Sequence, residues 1–232
     1  MQPDKPRVII ACKVLQSLIE PCLAEKAIST VFVEYGLHRT PALMVAALQG
    51  KVDQVLNPSL IILGYGLCGN GLVGLKARGH TLIVPRVHDC ITMFLGSRQR
   101  YLEDFSSQPG TYYLTKGWLE SGINPLDEYR ALVEKCGPEA ADWIIDTQYK
   151  KYNCLVLVAP ARAELALCRK RASEVADFCA TRWGFQYEER VGSDEFVKQL
   201  VTSAPQLRES TDDFLVIAPG SEIKQEMYWR DL

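Results

Sequence analysis

The chain has 232 residues, 47% of them hydrophobic, and carries 26 Lys and Arg against 28 Asp and Glu for a formal net charge of −2. That is enough apolar material for one large domain or two small ones, and the balanced charge supplies no basic field for nucleic acid or an anionic membrane. No apolar run approaches the ~18 residues of a transmembrane helix, and the opening MQPDKPRVIIACK lacks a signal peptide's apolar region and cleavage site, so a cytoplasmic protein is expected. In a reducing compartment its eight cysteines are expected as buried apolar residues, metal ligands or catalytic thiols rather than disulfides.

Arg7 to Cys12 (RVIIAC) reads as a buried first strand with Cys12 at its carboxyl end. A short helix from Val14, interrupted near Pro21, carries Cys22 as a packing residue. Thr30 to Tyr35 is the second strand, followed by Gly36, Leu37, His38 and Arg39, and then by Thr40-Pro41 as N-cap and first helical position. The helix to about Val55 is expected to bury Leu43, Ala46, Ala47 and Val55. His38 and Arg39 stand at its amino terminus, where an anionic substrate group is readily held; a surface loop without function fits them equally.

Leu60 to Leu63 and His80 to Val84 predict two further buried strands, each running into unusual chemistry. After the first comes GYGLCGNG, which lacks the spacing of a Walker A or GxGxxG loop. Its glycines at 64, 66, 69 and 71 predict a tight backbone path that brings Cys68 close to something. After the second comes Pro85-Arg86-Val87-His88-Asp89-Cys90, with Asp89 as cap of the next helix and Arg86 as a candidate for a substrate anion. GTYYLTKGW, ending at Trp118, predicts a short strand and its exit, with Trp118 as a wall of the site or as ordinary packing.

Helices follow over 125–149, broken at Gly137-Pro138, and then strand, helix, strand, helix, strand to Pro219. Cys136 reads as incidental, and Cys154, Cys168 and Cys179 read as structural. The alternation predicts parallel βαβ units. The expected architecture is α/β, with two Rossmann-like βα halves, largely parallel sheets and a crevice between them: an amino-terminal half over 1–122, a helical connection over 123–152 and a carboxyl-terminal half over 153–232.

Cys12, Cys68 and Cys90 thus each follow a separate strand, and ligands of open α/β sheets gather outside the carboxyl ends of strands. Three thiolates suit a soft divalent metal, and His88 can complete a tetrahedral zinc set, with Asp89 orienting the imidazole. Three thiolates also hold an iron–sulfur cluster with one iron open. A metal-free cysteine nucleophile and three merely buried cysteines are the competing readings. No CxxC pair is present.

IIAC at Cys12, LGYGLCGNGL, PRVHDCITMFLGSR and GTYYLTKGW resemble the domain-of-unknown-function 1638 family over most of the chain. The resemblance implies an anaerobic setting beside corrinoid-dependent methyltransferase systems, hence one-carbon metabolism with a corrinoid protein as partner. Zinc methyltransferases that pass methyl groups from corrinoid proteins to thiols use a His-x-Cys pair and a later Cys. Here His88 and Cys90 supply the pair, while Cys12 and Cys68 precede it. That order, and the lack of eight βα units, argue against common descent. The expectation is a zinc–thiolate enzyme moving a methyl or other one-carbon group, with a small-molecule thiol or a corrinoid protein as substrate or partner. An iron–sulfur enzyme and a non-catalytic accessory or maturation protein are the alternatives.

Overall fold

Aliphatic and β-branched runs bounded by Gly, Pro or Asn make the strands, and the longer stretches between them make the helices. The computed structural model describes residues 5–23 and 28–229. In chain order they form β1 (Arg7–Cys12), α1 (Gln16–Ile19), β2 (Ser29–Val33), α2 (Pro41–Asp53), β3 (Leu60–Gly64), β4 (Thr81–Pro85), α3 (Ile91–Leu95), α4 (Arg98–Ser107), β5 (Thr111–Leu114), α5 (Lys116–Ser121), α6 (Pro125–Cys136), α7 (Pro138–Tyr149), β6 (Cys154–Ala159), α8 (Arg162–Trp183), β7 (Gln186–Val191), α9 (Glu195–Ser203) and β8 (Phe214–Ile217). No helix among the described residues is long and apolar enough to cross a membrane.

The strands build a five-stranded sheet, β2-β1-β3-β4-β8, and a three-stranded sheet, β5-β6-β7. The fold is α/β with largely parallel sheets, as the alternation predicts. Packing groups the chain into two units, one made of residues up to Met93 together with those from Asp194 onward, the other of Phe94–Ser193. β5 pairs with β6, and β8 returns to the first sheet, where it runs antiparallel to β4 with Leu82 opposite Ile217. The expectation of a parallel closing strand is therefore corrected. Alternation sets the period of a strand and not its partner, and β8 covers an edge of β4 that would otherwise expose Leu82, Ile83 and Val84.

In the first unit, one face of the sheet carries the core of Ile10, Ile61, Leu63, Leu82 and Val84, closed by Met44, Leu48 and Val52 of α2 and by Tyr228. The stripe containing Leu43 and Ala46 is not the buried one, since Leu43 is 61% exposed. This helix is apolar on several sides, so the sheet it meets selects the buried stripe. The opposite face is covered by α1 and α9: Ile19 lies against the Gly64 backbone, and Phe196 packs on Phe214 with ring centroids 5.2 Å apart.

In the second unit β6 is buried along its whole length. Asn124 caps α6 by accepting from the Asp127 N–H at 3.1 Å, and Gly137, with φ 80°, separates α6 from α7. Cys154, Cys168 and Cys179 are buried and Cys136 is exposed.

Candidate metal centre

β1, β3 and β4 are neighbouring parallel strands, so their carboxyl ends deliver their exits to one edge of the sheet. The exits of β3 and β4 then continue the ladder as loops: Leu67 N–H donates to Val87 O at 2.9 Å and Cys68 N–H to His88 O at 2.8 Å. Gly66 makes this possible. A Cβ there would stand 2.7 to 2.9 Å from three backbone atoms of Asp89, so only glycine lets the two loops touch.

The turn that follows is left-handed at Cys68 (φ 47°), Gly69 (φ 65°) and Asn70 (φ 70°). A non-glycine residue in this region carries a cost of order 1 kcal/mol. Cys68 thus occupies a place where glycine would sit more easily, which points to a use for its side chain. Gly69 and Gly71 face Pro41 and Met44, setting this turn beside the start of α2.

Cys12 and Cys68 both pack against the core cluster that holds Tyr65 and Tyr228. The thiols of Cys68 and Cys90 are pushed well up by burial, and each feels the other two cysteines or their nearest neighbour as an added negative field: Cys68 responds to Asp89 and Cys12, Cys90 to Cys68, Asp89 and Cys12. Burial likewise raises the Cys12 thiol to about 11, with the Val14 N–H opposing and Glu34 adding. N–H groups of Gly66 and Cys90 act in the other direction on Cys68, favouring its thiolate. The three thiols therefore share one electrostatic environment, and each cysteine keeps part of its surface open to solvent. Among the described residues no group of three or more His, Cys, Asp or Glu is arranged as a ready ligand set.

Two residues that sequence reasoning passes over belong here. The hydroxyls of Tyr65 and Tyr228 are buried and have no hydrogen-bond partner among the described residues. Tyr65 feels all three thiols and Tyr228 feels Cys68. Tyr65 continues the alternation Leu63, Tyr65, Leu67 on the core side, a signal present in the sequence; Tyr228 offers none. A buried hydroxyl without a partner destabilises, so Tyr65→Phe and Tyr228→Phe are each expected to stabilise the metal-free protein by about 1 kcal/mol, measured by urea unfolding.

The other predicted residues are placed as follows. His88 is exposed, and its ring packs on Trp229 with centroids 4.8 Å apart. Asp89 accepts from the Ile91 N–H at 2.9 Å, capping α3, while its charge reaches Cys68 and Cys90. Arg86 is buried and serves the fold: its Nε donates to Met227 O at 2.8 Å and its Nη1 to Thr211 O at 3.2 Å. His38 and Arg39 lie in the 3-10 turn leading to α2, where partial burial and the neighbouring Arg39 charge lower the His38 pKa. Trp118 lies in α5 of the second unit, its N–H held by Thr115 Oγ1 at 3.4 Å.

No curated protein and no solved structure matches the chain. A family model, described as "Protein of unknown function (DUF1638)", matches residues 32–201, a stretch that holds Cys68, His88 and Cys90 and leaves Cys12 outside. This match covers well over half of the chain, and the protein belongs to the DUF1638 family.

Proposed function

We propose that this protein is a metal–thiolate enzyme in which Cys12, Cys68 and Cys90 hold zinc, with His88 as a further donor, and that it transfers a methyl or other one-carbon group involving a small thiol or a corrinoid protein. The observation that supports this reading is that Cys12, Cys68 and Cys90 lie at or beyond the carboxyl ends of three neighbouring parallel strands and act on one another electrostatically, beside two buried hydroxyls without partners among the described residues.

Thiolates are the donor type that a soft dication takes. Burial and the mutual negative field of Cys12, Cys68 and Cys90 both oppose their thiolates, and a dication would offset that opposition. Zinc, when bound, lowers the pKa of a thiol it holds and so supplies a nucleophile at neutral pH. The chain does the rest. N–H groups of Gly66 and Cys90 stabilise charge on the Cys68 sulfur, and the Val14 N–H does so at Cys12. Asp89, pinned by the Ile91 N–H, adds negative charge that favours a cation. His88, which packs on Trp229, would be the imidazole donor.

An iron–sulfur centre on the same thiols is the second reading, supported by the N–H groups directed at sulfur, which tune such clusters. Elemental analysis and a visible spectrum of protein purified without oxygen test both. About one zinc per chain without colour supports the proposal. Several irons with sulfide and absorption near about 400 nm move the chemistry to a cluster. Folded protein with neither element overturns both and leaves an accessory or maturation role.

A further inference from the structure

The other end of the same sheet carries a different chemistry. The register sets Arg7 beside Leu60 and Leu60 beside Thr81, and the pairing of Leu82 with Ile217 brings Ala218 next to Thr81. These residues form one row across the amino ends of β1, β3 and β4 and the exit of β8. Strand alternation puts this row on the face that carries Ile9, Ile62 and Ile83 two residues further in, all buried to within 1% exposure. A five-residue strand spans roughly 16 Å, so the row lies at the opposite edge from the thiols.

α9 ends at Ser203, and the chain after it, with Pro205, Leu207 and Arg208, walls a cavity of about 290 Å³ over this row. Three cations, Lys5, Arg7 and Arg208, border the cavity, and among the described residues no carboxylate does. Arg208 is braced at the rim by donating Nη1 to Pro205 O at 2.8 Å and Leu207 O at 3.1 Å. Among the described residues the side chains of Lys5 and Arg7 have no hydrogen-bond or ion-pair partner. Elsewhere several arginines meet acids, as in Arg78 with Asp53 and Arg169 with Glu189. In a chain of net charge −2, three cations gathered around a hollow with no counter-charge among the described residues are the make-up of an anion site.

We propose that this cavity binds a small oxyanion-bearing molecule, an organic phosphate or carboxylate with a compact apolar body. Arg7 and Lys5 neutralise the anion, Arg208 closes the rim, and Leu60, Val216 and Pro219 meet the apolar part. The volume stands at the lower end of small-molecule sites, roughly 300–1,000 Å³, which suits a single phosphate or carboxylate head on a short body and excludes a dinucleotide. The site is independent of the metal centre.

Titration calorimetry of the full chain with inorganic phosphate, pyrophosphate and citrate tests this. Saturable binding that weakens with added salt and falls about tenfold or more in Arg7→Gln supports the site, and the tighter of the phosphate and citrate arms names the anion. Lys5→Gln, which lies outside the strand, is expected to weaken binding in the same direction without touching the sheet. Lys13→Gln, paired with Glu34 at 3.2 Å away from the cavity, leaves it unchanged. No saturable binding in any arm, or equal affinity in the wild type and both cavity variants, overturns the proposal.

Discussion

Cys68→Ser protein purified without oxygen is expected to lose its metal, with affinity falling by about 100-fold or more, while the fold persists. Loss of a residue that merely orients a ligand already costs about 10–100-fold, and a hydroxyl is a poorer donor than a thiolate to a soft cation. The exchange is close to isosteric. A serine Oγ accepts the same Gly66 and Cys90 N–H groups that act on the sulfur, and the left-handed φ of 47° is equally strained for both residues. Metal content, circular dichroism and the unfolding midpoint together check this. Cys179→Ser gives the contrast: this thiol is buried in the second unit, where burial alone pushes it up to about 12, so the variant should lose stability and keep its metal. Full metal retention by Cys68→Ser would sink the metal-centre reading.

Gly66→Ala should be among the most damaging single methyls in the first unit. Its Cβ would meet Cα, C and N of Asp89 at 2.7, 2.8 and 2.9 Å, all backbone, with no flexible side chain to yield. Separating the loops strains the contact and stretches the Leu67–Val87 and Cys68–His88 hydrogen bonds. Overpacking and two weakened hydrogen bonds together amount to on the order of 3–5 kcal/mol, a large part of ordinary stability. Gly50→Ala is the matched control, because nothing lies within 4 Å of its added Cβ and alanine favours a helix interior by about 1 kcal/mol. Urea unfolding of the two variants should move in opposite directions, and similar midpoints would refute the contact at Gly66.

Strand positions were legible because buried strands are short apolar runs, and the shared edge at which β1, β3 and β4 end followed from parallel strands having one direction. The tight path through Gly64 and Gly66 was legible for the same reason: their added Cβ atoms would strike Ala11 and Asp89. Strand order was not legible. Where β8 pairs depends on which sheet edge needs cover, a property of the whole unit. Arg86 illustrates another limit, since a guanidinium after a strand looks alike in sequence whether it awaits an anion or holds the carbonyls of Met227 and Thr211. Tyr228 comes to the thiols from the far end of the chain, and no local pattern announces such a visit.

Along the chain, the second unit interrupts the first between Met93 and Asp194. Its two ends are joined: Ser193 N–H donates to Phe94 O at 3.0 Å, so residues 94–193 form a closed excursion from a sheet that still awaits β8. A ribosome releases the chain from the amino terminus, so the excursion is complete and able to fold while the larger sheet lacks its last edge. During that interval β4 presents an open, apolar strand, the kind of edge that recruits other chains. The nascent protein thus carries this open edge from the emergence of β4 until Phe214–Ile217 emerge and close the sheet.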